Sequence, residues 1–130
     1  GEVGPSVVRA PSALALASTV SEAVVEMGEA IPGASLGVVA PDAMLPELSE
    51  ALTAAGVNHG SATRTGLDAG VTLVPVSVVK GLELDGVIVV EPSRIVSDVE
   101  YGMRALYVAL TRSTQRLTVV HAEELPAPMR

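Results

Sequence analysis

Short apolar runs alternate along this chain with longer stretches in which apolar positions recur at helical spacing. Ser6-Val7-Val8-Arg9-Ala10 reads as a first strand. Ser12 can cap the helix that follows, and Ala13 to Ala30 carries good helix formers with spaced apolar positions. Pro32-Gly33 stops it. Leu36-Gly37-Val38-Val39-Ala40 is apolar without alternation, the pattern of a strand buried on both faces. Pro41-Asp42 opens a second helix that ends near Gly56, and Val57 to Gly70 is polar and glycine-rich, hence a loop. Val71 to Val79 is the next strand, weakened at its centre by Pro75, which donates no ladder hydrogen bond. Gly86-Val87-Ile88-Val89-Val90 is the clearest core strand. Asp98 to Thr114 has helical character, and Leu117-Thr118-Val119-Val120 is a final strand.

Strands that alternate with helices in this order predict an α/β domain, a parallel sheet with helices on both faces. The expected organisation is an incoming strand or linker over residues 1–11, one domain over 12–122 and a frayed tail over 123–130. Such sheets bind ligands beyond the carboxyl ends of their strands. The segments after Val79, Val90 and Val120 are therefore the expected working edge.

Composition narrows the function classes. Apolar residues make up 48% of the 130, with two Tyr, no Phe and no Trp, so the core is aliphatic. The absence of cysteine excludes a disulfide framework and thiol catalysis, and fits a reducing, cytoplasmic setting. No apolar run reaches the ~18 residues of a membrane span. Gly1-Glu2-Val3-Gly4-Pro5 reads as a cut inside a longer chain. Residues 1–70 hold two bases against eight acids, and residues 71–130 hold six against seven. Neither half is the basic face that nucleic acid normally requires. Any such contact is narrow or borne by another part of the protein.

Two clusters carry chemistry. The chain's one lysine stands in Lys80-Gly81-Leu82-Glu83-Leu84-Asp85, between two apolar strands. It gives one cation and two acceptors on a turn, which suits a ligand site or a solvated ion pair. The second cluster is Arg104-Ala105-Leu106-Tyr107-Val108-Ala109-Leu110-Thr111-Arg112. As a helix it sets Arg104, Val108 and Arg112 along one side. A cation near a helix end also suits the macrodipole without further function. Glu22, Glu26, Glu29, Glu47 and Glu50 read as the solvated faces of two helices. His59 and His121 lack ligand-spaced companions.

KGLELD, followed by RALYVALTR and a QRLTVVH strand, resembles motifs V and VI of the UvrD/Rep family of superfamily 1 helicases. The likeness is strong over Val71 to His121. The extended form VPVSVVKGLELDGVIVVEP with RALYVALTRSTQRLTVVHA looks most like the actinobacterial HelD-type branch, which associates with RNA polymerase.

The resemblance implies a RecA-like second motor domain at the C-terminal side of an ATP-dependent helicase. In that family ATP and its magnesium lie between two such domains, and the first carries the phosphate loop and the metal carboxylates. By match to motif VI, Arg112 reaches the γ-phosphate. By match to motif V, Glu83 accepts from the ribose, while Lys80 and Gly81 shape the same edge. Arg104 supports through an ion pair, Tyr107 through packing, and Asp85 belongs to the same turn. The partners implied are the N-terminal motor domain of the same protein, nucleic acid through the whole protein, and RNA polymerase. No G-x-x-x-x-G-K-[ST] occurs here, so the chain by itself is expected to be inactive. The motif IV region, Val38 to Asp42, has no arginine, and Pro75 and Ser77 stand where translocating relatives carry Thr and His. The loop 57–70 is too short for the accessory domain of UvrD-type enzymes. The alternatives are a degenerate motor domain kept as a protein-docking module and a stand-alone small-molecule domain.

Overall fold

The computed structural model describes residues 4–62, 70–98 and 100–130. Six strands, β1 (Ser6–Arg9), β2 (Leu36–Ala40), β3 (Gly60–Ser61), β4 (Val71–Pro75), β5 (Leu84–Val90) and β6 (Ser113–His121), form one sheet in the order β1-β6-β5-β2-β4-β3. Every pairing is parallel. The helices are α1 (Leu16–Ala30), α2 (Leu45–Ala54), α3 (Pro92–Asp98) and α4 (Gly102–Leu110).

Parallel strands need crossover helices, and these cover both faces. Alternate residues of β2 and β5 consequently enter two separate cores. Val38, Ala40, Ile88 and Val90 meet Leu16, Val20, Val24 and Met27 of α1 and Leu48 and Leu52 of α2. Val39, Val87 and Val89 meet Ile95 of α3 and Leu106 and Ala109 of α4. The expected α/β fold with helices on both faces is the one observed.

Several boundaries differ. Residues 41–56 hold a single 3₁₀ turn, Asp42–Met44, before α2 begins. The loop assigned to 57–70 contains the edge strand β3, paired with β4, and residues 63–69 of that assignment lie outside the described residues. The strand expected over Val71 to Val79 ends at Pro75, whose missing N–H closes the ladder, and Val76–Val78 winds into a 3₁₀ turn. The helical stretch expected over 98–114 holds one helix, α4 from Gly102 to Leu110; α3 precedes it and ends at Asp98, and β6 already begins at Ser113. Leu125 and Met129 pack against the second core, and the Arg130 Nε donates to the Leu125 carbonyl at 2.9 Å.

Candidate functional site

The Lys80–Asp85 turn and Arg112 meet at the amino ends of β5 and β6. Leu84 pairs with Ser113, and the Leu84 N–H donates to the Arg112 carbonyl at 3.1 Å. Glu83 and Arg112 are each one residue upstream of that pair, so their backbones run side by side. Sequence reasoning placed the working edge at the carboxyl ends of the strands; these two residues lie at the opposite edge. Gly81 turns the chain there at φ +88°, a conformation that disfavours a side chain. Lys80 and Glu83 are exposed, and Arg112 is partly buried.

Arg112 also lies outside the helix expected to contain it. α4 ends at Leu110, and Thr111 and Arg112 fold back on its last turn. The Thr111 hydroxyl donates to the carbonyls of Tyr107 and Val108 at 3.1 and 3.0 Å. Arg112 Nε donates to the Val108 carbonyl at 3.1 Å, and its Nη2 donates to Thr111 Oγ1 at 3.3 Å. The carbonyls left open at a helix end are thereby satisfied by a cation, which the macrodipole favours. Nη1 has no partner among the described residues, and no carboxylate there pairs with Arg112. Such a guanidinium keeps donors for an anionic oxygen.

Farther along α4, a cleft of about 200 Å³ is lined by Lys80, Tyr101, Arg104 and Val108. Val108 joins it to Arg112. The two clusters read from the sequence therefore form one surface along α4. Arg104 lacks the ion pair expected of it: among the described residues its guanidinium lies 5.4 Å from the centre of the Tyr101 ring instead. Tyr107 is 69% exposed, so it does not pack in this domain as expected. Its position on α4 faces away from the Leu106 and Ala109 stripe.

Asp85 has a different task. Its Oδ2 accepts from the Ser35 N–H at 2.9 Å and the Ser35 hydroxyl at 3.2 Å, and its own N–H donates to that hydroxyl at 3.1 Å. Ser35 precedes β2, so the pair fastens the starts of β2 and β5 beneath the turn. The Ser35 N–H, ahead of weaker hydroxyl and amide contacts, holds the Asp85 carboxyl below its ordinary pKa.

At the carboxyl end of β5, Glu91 was not anticipated. It is 1% exposed and adopts φ +51°. Its carboxylate accepts from the N–H groups of Ala122 and Glu123 at 3.0 and 3.2 Å, tying β5 to the turn after β6. Burial pushes its pKa up, outweighing those two hydrogen bonds. No periodicity marks such a residue, since an acid between a strand and a proline reads as a loop. The histidines serve locally. His59 Nδ1 donates to the Val57 carbonyl at 2.9 Å, and its Nε2 lies within hydrogen-bonding distance of the Ser49 hydroxyl at 2.7 Å. His121 Nδ1 donates to the Glu123 carbonyl at 2.8 Å.

A six-stranded, all-parallel sheet with helices on both faces defines a RecA-like α/β domain. Residues 70–120, which contain every residue of the candidate surface, match the family model of the UvrD-like helicase C-terminal domain. The chain is similar to the C-terminal domain of a possible DNA helicase from Lactobacillus plantarum WCFS1, with 25% identity and a TM-score of 0.78 over 97% of this chain and 78% of that one. It shares its fold with the arterivirus helicase, nonstructural protein 10, at 18% identity and a TM-score of 0.63, over 95% of this chain and 31% of that one. No curated protein sequence matches it. No helix among the described residues is long and apolar enough to cross a membrane.

Proposed function

We propose that this chain is the second motor domain of a helicase-like ATPase and supplies half of an ATP–magnesium site. The other half, with the phosphate loop and the magnesium carboxylates, belongs to a first motor domain of the same protein. The observation that carries the reading is the β5–β6 register, which sets Glu83 and Arg112 side by side inside the segment that matches the helicase domain. Arg112 reaches the γ-phosphoryl group, where a guanidinium follows the charge that spreads over the oxygens in the transition state. Glu83 accepts from a ribose hydroxyl. Lys80 and Gly81 shape the edge on which the nucleotide rests, and Asp85 holds the turn in place through Ser35. Nucleic acid is the substrate of the whole protein, in keeping with the possible DNA helicase that the chain is similar to. The HelD-type branch, with RNA polymerase as partner, rests on the extended motif alone.

The test uses the intact ATPase. Arg112→Ala is expected to lower turnover by a factor on the order of 10³–10⁵ while ATP affinity changes much less. Arg112→Lys restores little, because an ammonium lacks the planar fork. Glu83→Ala weakens ATP affinity more than turnover at saturation, since a ribose contact is the same before and during the reaction. Single-turnover kinetics with separately measured affinity separates the two. Unchanged turnover in Arg112→Ala rejects the assignment.

A second reading, a motor domain retained for protein docking, draws on Ser77. Its hydroxyl donates to Asp42 at 2.7 Å and is thus engaged within the domain where translocating relatives present a side chain to nucleic acid.

A further inference from the structure

A groove of about 610 Å³ runs between α1 and α2, on the sheet face opposite α4. Val25, Ala51, Ala54 and Ala55 supply its apolar lining around the buried Ser21, and Glu22, Glu26 and Glu29 line it from α1. Val25 is 43% exposed although it stands mid-helix. Small lining residues between two helices leave a furrow into which the ridge of a third helix fits.

The charge around it is of one sign. From Ala10 to Ala62 the sequence has six acids and no Lys or Arg. Glu22, Glu26 and Glu29 follow one another at helical spacing, where like charges repel. Glu29 also lies in the last turn of α1, the end at which the macrodipole disfavours an anion, and that turn holds no base. None of the three is ion-paired among the described residues. Each of these choices weakens α1 in isolation. A cation-bearing occupant reverses the sign of all of them.

We propose that this groove receives a cationic amphipathic helix of a protein partner. Its apolar stripe lies on Val25, Ala54 and Ala55, and its Lys or Arg side chains meet Glu22, Glu26 and Glu29. A phosphate backbone is repelled by the same glutamates. The inference is independent of the nucleotide site, which is on the other face of the sheet.

The probe is an amidated Leu/Lys peptide with leucines on one helical face, titrated into the ¹⁵N-labelled 130-residue chain. A scrambled peptide of the same composition, a Leu/Glu counterpart and a single-stranded oligonucleotide serve as comparisons. Shifts confined to α1 and α2 are expected, with affinity at least tenfold above that of the scrambled peptide and none for the Leu/Glu form. Glu26→Lys and, separately, Val25→Lys are each expected to lower affinity at least tenfold. Both side chains are solvent-accessible, and unchanged circular dichroism verifies the fold. Three results would overturn the proposal: equal binding of the scrambled peptide with shifts spread over other acidic surface, no peptide binding, or oligonucleotide shifts in the groove.

Discussion

A glutamate that is buried, left-handed in its backbone and next to a second acid is unfavourable on three counts. Glu91 persists because its two carboxylate oxygens satisfy the N–H groups of Ala122 and Glu123 where β6 ends. Glu91→Ala leaves those donors without a partner, and a loss of about 1–3 kcal/mol in urea unfolding is expected. Glu91→Gln keeps a carbonyl oxygen and removes the charge that burial penalises. The folded pKa is raised, so the fold binds the proton more tightly than the unfolded chain does. Ionisation begins in the unfolded chain near the ordinary glutamate value of about 4.3. Stability is therefore lost as pH rises from there through the folded pKa. Unfolding midpoints measured across that window should show Glu91→Gln gaining on the parent chain as pH rises. A constant difference would mean that the carboxylate ionises in the fold as easily as in the unfolded chain. Asp85 runs the other way: its lowered pKa gives stability above the ordinary aspartate range that is lost as pH falls through the folded value.

Elements built on long apolar runs were legible in the sequence, and elements built on a single contact were not. β2, β4, β5 and β6 follow from Leu36–Ala40, the valines after Gly70, Val87–Val90 and Leu117–Val120, because a strand buried on both faces has to be apolar throughout. β3 is two residues long and exists only through its pairing with β4, so nothing local announces it. The Lys80–Glu83 turn and Arg112 lie together in the fold, but their edge of the sheet depends on where α4 stops. Thr111 and Arg112 end it by taking its last carbonyls, which helical periodicity does not encode. α3 and α4 approach closely at Gly102. A Cβ on Gly102 would overlap the backbone of Val96, and Tyr101 before it is left-handed at φ +57°. Gly102→Ala should force the two helices apart and lower stability by about 1–3 kcal/mol. Chemical denaturation measures it. A loss of only a few tenths would show that α3 moves without resistance and that the close approach holds nothing in place.

At the scale of the molecule, fold class and half-site follow from different kinds of information. The alternation of elements specifies a parallel sheet with two cores, and the two observed clusters, one per face, are its direct expression. In the proposed function the site is shared between two domains, and a shared site leaves no such trace in either one, because its residues face a partner surface. The candidate surface offers Lys80, Arg104 and Arg112, and the sequence has no phosphate loop to cradle a triphosphate. Contacts between exposed charges contribute up to about 1 kcal/mol each. Three of them fall short of the roughly 4 kcal/mol that corresponds to a millimolar dissociation constant. The 130-residue chain by itself is therefore expected to bind ATP with a dissociation constant weaker than about 1 mM. It is also expected to release no phosphate above background, since a guanidinium that stabilises a transition state has nothing to act on until the other half positions the nucleotide. Amide shifts on titration with ATP, read at Lys80–Glu83 and Arg112, together with a phosphate-release assay, test both statements. Saturable micromolar binding, or turnover abolished by Arg112→Ala in the chain alone, would mean that this domain contains a complete nucleotide site.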